Sequence, residues 1–275
     1  MADTRFVDEA LVALVAAETE DELYGALVHA IHGLLPHSFV IASALVPEAE
    51  KFRIAATAGL EKVIKPASQI FGFDPLAITY STKDMPPEDL TSFRTGRLEH
   101  FPGGLHVLAL RRLPKAACVA VERLTGVRSA YGIGFVWQGQ HYGGISLGLR
   151  TDPDPAEADA IETLVRVATV AIRRHRAEAL LREKTAELDS FFSESLDLLC
   201  IVDIDGCFRR LNPEWERTLG YTVRELEGRR LLDFVHPDDI EATLAARARL
   251  AQGHVETTFA IRVRTKAGDL SLIHI

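Results

Sequence analysis

The sequence predicts an α+β chain of two modules, each an antiparallel sheet flanked by helices, joined by one long helix. Three observations predict it. Short or alternating apolar runs occur in hairpin-like pairs in both halves of the 275 residues, with turn residues between the members of each pair. Apolar residues at helical spacing precede and follow these pairs. Between the halves, Ala156 to Phe192 holds no proline or glycine and is rich in Ala, Glu, Arg and Leu, the composition of a single uninterrupted helix.

The first half opens with Phe6, Leu11, Leu14, Val15, Leu23, Leu27, Ile31 and Leu34 at mostly helical spacing, closed at Pro36, which predicts one or two packed helices. Phe39 to Val46 and Phe52 to Ala56 read as strands joined by Pro47-Glu48-Ala49-Glu50. Ala130 to Trp137 and Tyr142 to Leu149 read as a second hairpin around Gly139-Gln140. Between Gly59 and Gly104 lie Pro66, Pro75, Pro86, Pro87 and Pro102 with only short periodic pieces, so a long irregular connection is expected, of the sort that often covers a ligand site. Ala116 to Gly126 is a short helix with a glycine stop.

At about 1.5 Å per residue the linking helix spans on the order of 50 Å, longer than a compact domain needs. Ala177, Leu181, Lys184, Leu188 and Phe191 follow alternating spacings of three and four, a short a/d seam that suggests a coiled coil and a parallel homodimer. Packing of the helix on its own sheet is the alternative. The basic run Arg173, Arg174, His175, Arg176 is expected on a solvated face, with Glu178, Glu183 and Glu187 near enough to pair with it.

In the second half, Leu198 to Val202 is a short apolar run followed by Asp205-Gly206, a hairpin signal, with Cys207 to Leu211 returning. Asn212 before Pro213 fits an N-cap followed by proline at the first helical position, and Gly220 stops that helix. His236-Pro237-Asp238-Asp239 precedes the amphipathic Ile240 to Ala251, so Asp238 or Asp239 is expected to accept from the helix N–H groups, with Gly253 as the stop. From His254 to Arg264, Val255, Thr257, Phe259, Ile261 and Val263 alternate with polar residues, as in a half-buried strand.

The hydrophobic content of 47% is ample for two cores. A net charge of -8 argues against general binding to nucleic acid or to anionic membranes, which requires clustered positive charge. No uncharged apolar run approaches the ~20 residues of a spanning helix. No secretory signal is expected at the acidic N-terminus, and a cytoplasmic location follows. Cys118, Cys200 and Cys207 have no metal spacing and read as reduced thiols. Neither a Gly-rich phosphate loop nor a Ser/His/Asp motif is present, and Gly132-Ile133-Gly134 lies within a strand-like run, so no catalytic or metal residue is assigned.

Two resemblances add to this. Asp203-Ile204-Asp205-Gly206, Leu211 to Tyr221 and Val235-His236-Pro237-Asp238-Asp239 together resemble a PAS (S-box) domain. Asp21-Glu22-Leu23-Tyr24, Ala58-Gly59-Leu60 and Tyr142-Gly143-Gly144-Ile145-Ser146-Leu147 resemble a GAF domain, whose fold is a central antiparallel sheet with helices at one face and often a small-molecule pocket at the other. The expected organisation is a GAF-like domain at 1–160, a signalling helix at 161–192 and a PAS-like domain at 193–275. The resemblances imply the sensory input region of a signal-transduction protein, the N-terminal part of a sensor histidine kinase, which binds a small molecule or dimerises to regulate an output domain outside this chain. Alternatives are the input region of a diguanylate cyclase or phosphodiesterase, or a stand-alone partner-binding module.

No cofactor is assigned by either resemblance. The segment Glu227-Gly228-Arg229-Arg230-Leu231-Leu232 lacks the flavin-reactive cysteine of light-oxygen-voltage domains, His236 sits in a capping turn rather than as a haem ligand, and Cys118 is followed by Val119 rather than by the histidine of bilin sites. His175 lacks the flanking acid and proline of kinase phosphoacceptor helices. Pocket candidates are Phe71, Tyr80, Tyr131 and Phe135 in the GAF-like half and Trp215, Leu219, Phe234 and Phe259 in the PAS-like half. A PAS domain normally adds two long strands after the hairpin at Lys266-Ala267-Gly268-Asp269, where six residues remain. Those six, 270–275, are also a translation of a transposase end sequence used in DNA sequencing preparations, so native sequence is expected to end near Asp269 and the PAS-like sheet to keep an unpaired edge.

Overall fold

The computed structural model describes residues 4–46, 49–74, 76, 80–81, 93–109, 111–251 and 260–274. The chain divides into two compact units, Met1–Ala179 and Leu180–Ile275, with the boundary inside the long helix.

In the N-terminal unit, α1 (Thr4–Ala16) and α2 (Glu20–Leu34) precede β1 (Phe39–Val46) and β2 (Lys51–Ala58). Thr19 caps α2 by accepting from the Glu22 N–H at 3.2 Å. After β2 come α3 (Glu61–Phe71), the two-residue strands β3 (Tyr80–Ser81) and β4 (Glu99–His100), α4 (Gly104–Leu108) and α5 (Lys115–Thr125). The hairpin β5 (Ser129–Trp137) and β6 (Gln140–Leu149) leads into α6 (Pro155–Glu194). The strands form one antiparallel sheet in the order β3-β2-β1-β6-β5-β4.

Strand alternation assigns the two faces of this sheet. Val40, Ala42 and Ala44 of β1, Ile133 and Phe135 of β5, and Ile145 and Leu147 of β6 join Leu14 of α1, Leu23, Leu27 and Ile31 of α2, and Ile161, Leu164 and Ile172 of α6 in one buried cluster. At about 1.5 to 3 kcal/mol for each fully buried large aliphatic side chain, this is the unit's principal source of stability. The other face carries α3, α4 and α5.

The irregular connection expected between Gly59 and Gly104 is corrected in part, because 11 of its residues form α3 with Pro66 inside. Leu60, Ile64, Ala67 and Phe71 recur every three or four residues, and burying that stripe against the sheet outweighs the backbone hydrogen bond that proline removes. Gly72, in the left-handed region at φ 76°, ends the helix.

The basic run on α6 also differs from expectation. Arg174 lies 3.9 Å from Glu178, as expected of a solvated helix face. Arg176 instead makes a forked pair with Glu20 of α2, at 3.0 and 3.3 Å, and Arg173 stacks 4.5 Å over the Trp137 ring. An arginine stem reaches across to neighbouring elements, so its own helix need not supply the partner. Beyond this clamp α6 is exposed, including Leu181 and Leu188 at 68% and Phe191 at 70%.

In the C-terminal unit, β7 (Cys200–Val202) and β8 (Phe208–Leu211) form one two-stranded sheet, and β9 (Ala260–Arg264) and β10 (Leu270–His274) another. Between them lie α7 (Glu214–Leu219), α8 (Val223–Leu226) and α9 (Ile240–Ala251). The turn at Asp205-Gly206 forms as expected, with Gly206 at φ 79°, and Gly220 at φ 77° stops α7. Ile261 and Val263 are fully buried, as their alternation predicts, whereas Gly253, His254 and Phe259 lie outside the described residues.

Two capping expectations are corrected. Asn212 does not cap α7: its side chain is buried, accepting from the Leu199 N–H at 3.1 Å and donating to the Ser195 and Asp197 carbonyls at 3.2 and 2.8 Å. Pro213 occupies the N-cap position. At the second motif the His236 ring accepts from the Asp238 N–H at 3.3 Å, while Asp239 turns away to β9. Its carboxylate accepts from the backbone N–H, Nε and Nη2 of Arg262 at 2.8, 2.9 and 2.6 Å. These hydrogen bonds from Arg262 hold the Asp239 carboxyl down at about 2.

A fragment of residues 1–179 is expected to unfold in a single cooperative thermal transition, since its sheet and cores are complete within it. A broad, non-cooperative melt by circular dichroism would sink that expectation. Because the folded Asp239 carboxyl titrates below the unfolded one, its contribution is present above about pH 4 and lost as pH falls toward about 2. Asp239→Asn should therefore destabilise the second unit at pH 7 and leave a smaller further loss on acidification than the parent shows, measured by urea unfolding at a series of pH values.

Candidate functional site

A cavity of about 120 Å³ opens on the face of the N-terminal sheet away from the large core. Phe39, Ile41 and Ser43 of β1 point into it, because they are the residues that alternate with the core-facing Val40, Ala42 and Ala44. The register places Ile41 beside Ser146 of β6, so the Ser43 and Ser146 hydroxyls share one patch of the floor. Ile64, Ala67 and Phe71 of α3, Leu105 and Leu108 of α4, and Cys118 and Val121 of α5 form the apolar walls. No charged side chain is among its described lining residues. Burial, followed by the nearby Glu122, pushes the Cys118 thiol up to about 11, so it is a neutral wall group rather than a nucleophile.

The neighbouring part of the same face is filled. Phe93 and Phe101, with ring centroids 5.5 Å apart, lie over β5 and β6 where Gly132, Gly134 and Gly144 offer no side chains. A methyl at Gly132 would overlap the Phe101 ring, and one at Gly134 would overlap the Phe93 main-chain carbonyl. These glycines permit backbone and rings to approach the sheet closely, and the cavity is confined to the part over β1, β2 and β6.

Of the GAF-like candidates, Phe71 lines this cavity. Phe135 is fully buried on the opposite face, its ring 5.8 Å from Tyr24, and Tyr131 packs against the same core. The physical reason is strand parity: Tyr131, Ile133 and Phe135 of β5 face α1, α2 and α6, whereas Phe39, Ile41 and Ser43 of β1 face the cavity. Tyr80 belongs to the edge strand β3, and its side chain lies outside the described residues. The floor residues Ser43 and Ser146 and the filling pair Phe93 and Phe101 are not among the sequence candidates. Their only signal is the set of glycines two apart on β5, which marks a close approach without naming what approaches.

Among the C-terminal candidates, Trp215, Leu219 and Phe234 come together in one core with Phe208, Leu226, Ile261 and Val263. The Phe208 and Trp215 rings meet edge-on at 5.2 Å, and the Trp215 Nε1–H donates to the Leu199 carbonyl at 3.0 Å. Phe259 lies outside the described residues. Among the described residues, no group of three or more His, Cys, Asp or Glu is placed to hold a metal, and no helix is long and apolar enough to cross a membrane.

Residues 208–275 match the PAS fold family. No curated protein matches the chain. Among solved structures it is similar to the chromophore-binding domain of an unusual bacteriophytochrome from R. palustris, at 13% identity and a TM-score of 0.47, over 64% of this chain and 61% of that one. It is also similar to a cyanobacteriochrome GAF domain, at 16% identity and a TM-score of 0.43, over 59% of this chain and 94% of that one. A third is the PAS domain of an HTR-like protein from Haloarcula marismortui, at 24% identity and a TM-score of 0.31, over 36% of this chain and 81% of that one. The chain spans about three fifths of the bacteriophytochrome domain. The chain thus carries a six-stranded antiparallel sheet module, followed from residue 208 by a match to the PAS fold that includes the Asn212-Pro213 and His236-Pro237-Asp238-Asp239 motifs.

Gly134→Ala is expected to lower the unfolding free energy by about 1 to 3 kcal/mol, the range for overpacking, because the added methyl meets main chain that cannot rotate aside. Gly25→Ala, in α2 with nothing within 4 Å of the new methyl, should instead stabilise by up to about 1 kcal/mol. Chemical denaturation of both variants checks the pair, and equal effects would contradict the packing just described.

Proposed function

We propose that the chain is the sensory input region of a cytoplasmic signal-transduction protein, in which the N-terminal cavity takes a small apolar molecule and the exposed end of α6 pairs with a second copy. The observation that carries this reading is the cavity, apolar on its walls and bearing two hydroxyls on its floor. Its volume of about 120 Å³ is near that of apolar cavities of about 150 Å³ that admit benzene. A compact ring or short chain with one hydroxyl or carbonyl directed at Ser43 and Ser146 fits that chemistry. A charged ligand would lose its hydration with no compensating partner. The bacteriophytochrome relative is named for its chromophore; here the space is far below the ~300 to 1,000 Å³ of sites for larger ligands, and Cys118 is a protonated wall residue. The output we assign to a sensor histidine kinase, on the order of modules alone.

The occupant is tested by unfolding the full chain with and without benzene or indole. A ligand at a hundredfold excess over its Kd should add about 2.7 kcal/mol, and Ala67→Phe, which fills the space, should remove the increment. No increment for the unaltered chain with a series of such compounds would overturn the assignment.

Dimerisation rests on the apolar positions Leu181, Leu188 and Phe191, exposed at the spacing of a two-stranded seam. Leu181→Glu with Leu188→Glu should convert a dimer to a folded monomer in sedimentation velocity. A parent chain that sediments as a monomer would exclude this part of the proposal.

A further inference from the structure

We propose that the N-terminal unit carries a second ligand site, for a small oxyanion bearing a phosphoryl or carboxylate group, at the end of the sheet where β6 terminates. Two adjoining clefts of about 240 and 210 Å³ meet there and share His37, Ser38 and Arg150. In contrast with the apolar cavity, the first is lined by the polar side chains of His32, His37, Ser38, Thr125, Arg150 and the acidic Glu61.

Arg150 is the group that selects the ligand. Among the described residues its guanidinium has no carboxylate or carbonyl partner, although it borders both clefts. It rests over Gly126: a methyl at that position would lie 3.5 Å from Nε and 3.8 Å from Cζ. Gly126 ends α5 at φ 75°, so the residue that closes the helix also leaves a seat for the arginine. An unpaired planar fork in a polar cleft matches the two oxygens of a carboxylate or phosphoryl group.

The surrounding groups agree with an anion. The Ser38 hydroxyl, on a buried residue, lies 3.4 Å from His32 Nδ1; one donor is spent within that pair, and the other, with His37, is left for a ligand. Thr125 contributes only its lone pairs, since its hydroxyl donates to the Val121 carbonyl at 2.7 Å. Of the two acids beside the clefts, Glu157 is occupied at the start of α6, accepting from the Asp154 N–H at 2.8 Å. Glu61 lines the first cleft and favours a ligand of modest charge over a polyanion.

The first cleft shares Phe39 with the apolar cavity, but neither Arg150 nor His37 lines that cavity, so either assignment can fail without the other. Calorimetric titration of the full chain with inorganic phosphate, and separately with succinate, at ionic strength fixed with sodium chloride, tests it. Saturable binding of either anion is expected, weakened about tenfold or more in Arg150→Gln with an unchanged melting curve. Phosphate alone binding assigns a phosphoryl ligand, and succinate alone a carboxylate. His37→Ala, at an exposed position, should weaken binding severalfold and decides the matter if Arg150→Gln fails to fold. Absence of saturable heat with both anions, or unaltered affinity in folded Arg150→Gln and His37→Ala, would overturn the proposal.

Discussion

The alternation of side chains along β1, β5 and β6, broken by one bulge at Tyr142-Gly143, is the constraint on which the N-terminal unit depends. One set of positions must fill the space under α1, α2 and α6, and the intervening set faces α3, α4 and α5. A slip of one residue in register would exchange Ile145 and Leu147 for Gly144, Ser146 and Gly148, leaving the large core hollow. On β5 and β6 the same alternation puts small or hydroxylated residues, Gly132, Gly134, Gly144 and Ser146, on the second face, which leaves space there. Phe93 and Phe101 then decide where it lies, by occupying the glycine-lined part.

Much of this architecture was legible in the sequence. The principal strands of the N-terminal sheet, the glycine stops of α5 and α7 and the uninterrupted α6 follow from local propensity and period, which act within a few residues of each signal. Features requiring knowledge of a distant partner were not legible. The sequence marks β5 as a strand but does not state which of its faces meets α2, so Phe135 and Phe71 looked alike as candidates. Pro66 argued against helix until the Ile64, Ala67 and Phe71 stripe had a surface to cover.

The C-terminal unit shows a different balance. Asp239 and Asn212 both stand where local rules place capping residues, and tertiary structure recruits both elsewhere. A cap satisfies one N–H; Asp239 accepts three hydrogen bonds from Arg262, so the competition favours the longer-range partner. Around this pinned core, β7 pairs with β8 and β10 with β9, leaving Ile201, Val202, Leu270 and Leu272 partly or largely exposed. Burial here is thinner than in the first unit, and directional hydrogen bonds define more of the geometry.

The buried Asn212 amide has one further consequence, in chemical ageing. An asparagine ordinarily degrades when the following backbone nitrogen, having lost its proton, attacks the side-chain carbonyl and closes a succinimide ring. The following residue is Pro213, whose nitrogen carries no proton to lose. The amide that ties Ser195, Asp197 and Leu199 to the start of α7 is thus blocked from that route by the next residue's chemistry, independently of how often the surrounding structure opens.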